Sequence, residues 1–113
     1  MQKELKTYFE DIITAIEKIE KYTIGMTKED LIRNDLVQDA VVRNLEVIGE
    51  AVKKIPDDVR NSYKDIQWKK IAGLRDILIH EYFGVNMNIV WDVIENKLKL
   101  LKAAADELYE SYN

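Results

Sequence analysis

Residues 5–19 read LKTYFEDIITAIEKI. Leu5, Phe9, Ile12, Ile16 and Ile19 recur at alternating intervals of four and three, the spacing that lays apolar side chains along one face of an α-helix. Tyr8 and Ile13 widen that stripe, and charged residues fill the opposite side, so the spacing predicts an amphipathic helix over residues 2–22. Such a stripe is stable only when it is buried against other elements.

The rest of the chain supplies those elements in the same period. Gly25 breaks the first run, and Thr27 followed by Asp30 has the pattern of an N-terminal cap, with Glu29 adding favourable charge to the first turn. A second helix is expected over residues 28–54. Its core stripe is Val37, Val41, Ile48, Val52 and Ile55, with Ala40 and Leu45 alongside, and Pro56 disfavours helix at Ile55 and stops it. Residues 57–63 read as a short helical turn, with Asp57 and Asp58 as first-turn charges. Asp65 is expected to cap a third long helix over residues 67–81, which Gly84 ends. Asn86 or Asn88 starts the last helix, whose buried face is Val90, Ile94, Leu98, Leu101, Ala105 and Leu108. Four glycines and one proline leave few breaks, and no strand-period alternation, repeat or long linker interrupts the pattern. The expected fold is all-α: an up-and-down bundle of four long helices plus a short helix.

A chain of 113 residues fits a single domain spanning 1–113, long enough to bury a core without staples. With no cysteine there is no disulfide framework, thiolate zinc site or cysteine nucleophile, and with one histidine no structural metal is expected. The N-terminal MQKELKTYFEDII is charged and amphipathic, and no apolar run approaches the ~18–20 residues that span a bilayer. The expectation is a cytoplasmic protein with no membrane association. A net charge of −4 counts against a general nucleic-acid coat. It does not count against an enzyme that meets RNA through a small, locally positive cleft, because net charge reports on solubility rather than on the field inside a pocket.

The chemistry-bearing residues gather in RDILIHEY, residues 75–82. His80 is the one histidine of the chain, and the run IAGLRDILIH (71–80) is otherwise almost wholly apolar. A helix this apolar belongs inside a bundle, where an unpaired charge is costly. On a continuous helix Arg75 and Tyr82 (i, i+7) share one face, and Asp76 and His80 (i, i+4) form a second aligned pair. Asp76 is then placed to accept a hydrogen bond from the imidazole, fixing its tautomer and raising its basicity. Arg75 and His80 stand about 140° apart around the axis. For both to act on one point, Arg75 must reach around, the helix must loosen near His80, or a second copy of the chain must complete the site. Gly73 costs helix propensity, and its expected purpose is close approach of another helix. The residues alone leave two readings open. One is a satisfied structural network, with Arg75 anchoring Glu46 or Glu50; the other is a working site.

At these residues the chain resembles the HepT-like branch of the HEPN superfamily. Arg75, His80 and Tyr82 meet the motif R-x-x-x-x-H-x-Y, and Asp76 supplies the polar residue that commonly follows the arginine. Two further segments agree: VVRNLEVIGEAVKKIP (41–56) and DIQWKKIAGLRDILIHEYFGVN (65–86). The likeness runs from about residue 36 to residue 100. It implies a HEPN-like bundle and a homodimeric, metal-independent ribonuclease with no cofactor, acting as the toxin of a type VII toxin–antitoxin system on tRNA or mRNA. The implied partner is a small MNT-type nucleotidyltransferase antitoxin that silences the toxin by AMPylation of the motif tyrosine, here Tyr82. An anionic adduct there would lie beside Arg75 and block the cleft.

The residue types suit that implied chemistry. Metal-free RNA cleavage needs activation of the 2′-hydroxyl, neutralisation of the pentacoordinate phosphate and protonation of the leaving oxygen. His80 suits proton transfer, imidazole having an ordinary pKa of about 6.5, and Arg75 suits the phosphoryl charge. One histidine per chain does not easily serve as acid and base in one step, whereas two copies across a dimer cleft can divide the roles. Arg43, Glu46 and Glu50 share one helical face as either a solvated salt-bridge line or a rim contribution. Lys69 and Lys70 are either RNA-phosphate contacts or plain surface. Trp68 and Trp91 are expected as core or dimer anchors. A different class of reading is a non-catalytic helical module that binds and escorts a nucleotidyltransferase. Nucleotide binding without hydrolysis lacks any glycine-rich phosphate loop to support it.

Overall fold

The stripe in residues 5–19 becomes the inner face of α1 (Gln2–Thr23), on which Phe9, Ile12, Ile16 and Ile19 are fully buried. The structure is a computed structural model and describes residues 2–74 and 86–112. The helices that follow α1 are α2 (Lys28–Ile32), α3 (Asp35–Lys53), α4 (Asp57–Asn61), α5 (Trp68–Ala72), α6 (Met87–Asn96) and α7 (Leu98–Ser111). No strand occurs among the described residues, and the fold is the all-α bundle that the periodicity predicts. α3 and α7 pack against α1, α5 packs on α3, and α6 touches both α2 and α7. Val41, Leu45, Ile48, Val52 and Leu101 reach the same core with no exposed surface. On the last two helices Val90, Leu98 and Ala105 are buried as expected, while Ile94 and Leu108 are half-buried against the core.

Three breaks depart from the expected helices. The helix over residues 28–54 is two helices, parted at Arg33 and Asn34. Thr27 and Asp30 do form the capping box that opens α2, with Asp30 N–H on Thr27 Oγ1 at 3.1 Å and Thr27 N–H on Asp30 Oδ2 at 3.0 Å. Asn34 then starts a second helix, its Oδ1 accepting from Val37 N–H at 3.0 Å. Gln38 Nε2 reaches back to the carbonyls of Leu31 and Ile32, both at 2.8 Å, and so satisfies acceptors left open at the end of α2. The last helix is likewise divided at Lys97 into α6 and α7.

The third break bears on the site. Gln67, not Asp65, occupies the N-cap position of α5, and it makes no side-chain cap hydrogen bond. α5 ends at Gly73, whose N–H bonds Lys69 O at 2.9 Å in a turn. A Cβ at Gly73 would meet only the carbonyls of Lys69 and Lys70 among the described residues of the chain, so no other described helix approaches it closely, and approach by a second copy's helix stays an expectation. The remainder of the helix expected over 67–81, and Gly84 as its stop, lie outside the described residues.

Candidate functional site

Arg75, Asp76, His80 and Tyr82 lie outside the described residues. The structure supplies the frame that holds the chain on either side of them. On the upstream side α5 delivers the chain to Leu74, which is buried in the core together with Ile71. α5 is itself tied down by Trp68. Its indole is buried, and Nε1–H donates to the main-chain oxygens of Arg60 at 3.0 Å and Tyr63 at 3.1 Å. The guanidinium of Arg60 donates to Val52 O at 2.6 Å, in the last turn of α3, while its Nε is buried without a partner. Helices α3, α4 and α5 are thereby clamped by side chains reaching main-chain acceptors, a device that fixes orientation without a large apolar area. Trp68 is thus a core anchor, and its face is not available for stacking; Trp91 is half-buried against the core.

Downstream, Asn86 opens α6 by accepting from Asn88 N–H at 2.9 Å, and Val90 and Val93 carry that helix into the core. The two flanks meet. Lys70, Ile71 and Leu74 from the upstream side line a cavity of about 290 Å³ with Ile89, Asp92 and Lys97 from the downstream side. The described residues on the two sides of the stretch 75–85 therefore share one concavity.

Lys69 and Lys70 are exposed on α5, where they line a second groove of about 530 Å³ with Arg60, Lys64, Gln67 and Asp57. Arg60 and Lys64 were not among the candidates from the sequence; the signal that points to them is the density of four cations between positions 60 and 70. Arg43, Glu46 and Glu50 are brought together elsewhere, in a cavity of about 340 Å³ between α3 and α1 that also includes Asp11 and Lys54. Glu50 lies 3.8 Å from Lys53, and no ion pair joins Arg43 to Glu46 or Glu50 among the described residues.

Tyr63, in the loop between α4 and α5, has a phenol pushed above its ordinary pKa. Burial is the largest cause, followed by its hydrogen bond to Glu107 and the charge of that carboxylate. Among the described residues no three His, Cys, Asp or Glu side chains gather as a metal site would need, and no helix is long and apolar enough to cross a membrane.

Comparison with known proteins assigns this frame. The family model described as "Ribonuclease HepT-like" matches residues 12–108. "Gamma-glutamylcyclotransferase and putative RNase MJ0434" of Methanocaldococcus jannaschii is 43% identical over 102 residues, which are 90% of this chain and 46% of that protein. The chain thus spans about half the length of that relative. "Putative RNase MJ0127" of the same organism is 43% identical over 97 residues, 86% of this chain and 80% of the relative. "Probable ribonuclease HepT" of Thermococcus cleftensis is 41% identical over 108 residues, 96% of this chain and 98% of the relative. No solved structure gives a significant match. The likeness runs through the described frame and the motif stretch alike, and the chain belongs to the HepT-like family.

Proposed function

We propose that this chain is a cytoplasmic, metal-independent endoribonuclease and the toxin of a type VII toxin–antitoxin pair. The observation that carries the reading is the family match over residues 12–108, within which Arg75, His80 and Tyr82 keep the spacing R-x-x-x-x-H-x-Y. Relatives along nearly the whole chain bear ribonuclease names. In this reading two copies form a homodimer and present their motifs to one cleft. One His80 draws the proton from the 2′-hydroxyl, which attacks the adjacent phosphorus, and the other protonates the departing 5′-oxygen. Arg75 neutralises the phosphoryl oxygens as the pentacoordinate state forms. Asp76 orients His80 through an imidazole N–H.

The same reading makes Tyr82 the target of a nucleotidyltransferase partner of MNT type. AMP on its hydroxyl would place a phosphate beside Arg75 and occupy the path of the RNA backbone. The partner would thereby silence the toxin without degrading it.

The decisive experiment is RNA cleavage by purified protein in the presence of a chelator, with His80→Ala and Arg75→Ala as controls of verified fold. Cleavage by the parent and loss of at least about a hundredfold in each variant are expected for a general acid–base and a phosphate-charge group. Undiminished cleavage by a folded His80→Ala protein would remove the mechanism. A parent that cleaves no RNA, while binding a nucleotidyltransferase as well as its motif variants do, would select the escort module instead.

A further inference from the structure

The chain carries a net charge of −4, yet one of its concave surfaces is strongly positive. The groove between α4 and α5 has Arg60, Lys64, Lys69 and Lys70 on its lining against one carboxylate, Asp57. Lys64, Lys69 and Lys70 are exposed, and none pairs with a carboxylate among the described residues. Like charges this close on one short loop and helix repel one another, and the fold leaves them unneutralised. An acidic protein that maintains such a patch has a local attraction for an anion that its overall charge opposes.

Gln67 and Lys70 line this groove and also the neighbouring cavity, which Leu74, the residue before Arg75, helps to line. The two concavities therefore adjoin at Gln67 and Lys70, and the cations lie just ahead of the motif along the chain. The groove also lacks a stacking platform. The aromatic residue in it, Trp68, is buried with its N–H spent on the carbonyls of Arg60 and Tyr63. What remains is ammonium groups, which hold phosphates and do not read bases.

We propose that the α4–α5 groove is a track for the substrate strand: Lys64, Lys69 and Lys70 bind successive phosphodiesters of single-stranded RNA. The proposal rests on the ribonuclease reading for the class of ligand. It goes beyond that reading in assigning a binding surface made of residues outside the motif and in making it indifferent to sequence. The three exposed lysines fit a flexible polyanion better than the acidic face of a folded protein, because the binding surface is a concavity that a narrow strand can enter.

The test uses the His80→Ala chain, so that binding is measured without cleavage, and a fluorescent single-stranded RNA of mixed sequence. Lys64, Lys69 and Lys70 are changed together to Gln. A control chain of the same net charge carries Lys18→Gln, Lys21→Gln and Lys99→Gln, at exposed lysines of α1 and α7. Loss of three phosphate contacts should weaken binding about tenfold or more at low salt and make the slope of log K against log salt shallower by about 2, each contact to a single strand contributing roughly 0.7. The control chain should bind as its parent does. On the cleavage-competent background, the groove variant should show a raised KM for long RNA at a nearly unchanged kcat.

Binding by the groove variant with unaltered affinity and salt slope would overturn the proposal. So would an equal loss in the control chain, which would trace the effect to net charge. If the parent binds RNA and the groove variant does not, yet no cleavage is ever seen, the track stands and the ribonuclease reading falls. If cleavage is normal and the groove variant binds and cleaves as its parent does, the ribonuclease reading stands and the track falls.

Discussion

The indole Nε1–H of Trp68 donates to the main-chain oxygen of Arg60 at 3.0 Å, so the helix that leads into the motif is held by the helix before it. Tyr63 O shares the same donor at 3.1 Å. Replacing Trp68 by Phe keeps most of the buried ring and removes the donor, while Arg60 O keeps the N–H of Tyr63 at 3.0 Å and Tyr63 O keeps the N–H of Ile66 at 3.3 Å. A cost of about 0.5–1.5 kcal/mol is expected, the net worth of a hydrogen bond whose acceptors retain another donor. Urea unfolding of Trp68→Phe against the parent measures it, and an unchanged midpoint would show that water replaces the indole without loss.

A second prediction concerns the break between α2 and α3. Asn34 Oδ1 caps α3 through Val37 N–H, and Gln38 closes the end of α2 through Leu31 O and Ile32 O. Asn34→Ala should cost about 1 kcal/mol of stability, as removal of an N-cap acceptor does. If the break serves only to let two helices turn, Asn34→Asp should restore most of that loss, because aspartate offers the same acceptor. Thermal unfolding of the pair decides it, and equal losses in both would mean that the amide, not the cap, matters.

Periodicity revealed the helices and concealed their ends. The apolar stripe of α1 gave its face and its bounds to within a residue, because Phe9, Ile12, Ile16 and Ile19 are all needed in one core. The stripe from Val37 to Val52 was equally clear. The division at Arg33 and Asn34 was not, because the pattern keeps its phase across the break and the polar residues that make it read as ordinary solvent-facing positions. Asn34 followed by Asp35 is in retrospect an N-cap with a first-turn acid. Gly73 was visible as a poor helix former, but the sequence does not tell a tolerated glycine from a stop. For the site, spacing singled out the motif residues. The groove between α4 and α5 gathers Arg60 and Lys64 with Lys69 and Lys70; their density between positions 60 and 70 is visible in the sequence, but their lining one concavity is not.

Tyr63 gives a pH dependence with a definite sign. Its phenol is held above its ordinary pKa by burial and by the carboxylate of Glu107. The folded state therefore keeps this proton to higher pH than the unfolded chain, whose tyrosines titrate at about 10. The associated stabilisation is complete below about pH 10 and is lost as pH rises through the folded pKa. The stability difference between the parent and Tyr63→Phe should be constant at neutral pH and shrink under more alkaline conditions. Taking the difference cancels the other tyrosines and the lysines. A difference that stays level through about pH 11 would show that burial and Glu107 together do not raise the phenol's pKa in solution.

The proposed shared cleft makes a prediction about mixtures. If one His80 acts as base and its counterpart from the second copy acts as acid, a dimer with one His80→Ala chain lacks half of the proton relay and should be as poor as the doubly substituted dimer. Subunits exchanged at random in an equal mixture of parent and His80→Ala chains form parent dimers in about one quarter of cases, by the statistics of a two-fold assembly. Activity per total protein should then be about a half of the parent's before exchange and fall to about a quarter after it, because the roles are divided between subunits. Cleavage measured before and after a denaturation–renaturation mixing step makes the comparison. A value of one half after exchange would mean that each copy carries a complete site, and that its own Arg75 reaches its own His80 despite the angle between them.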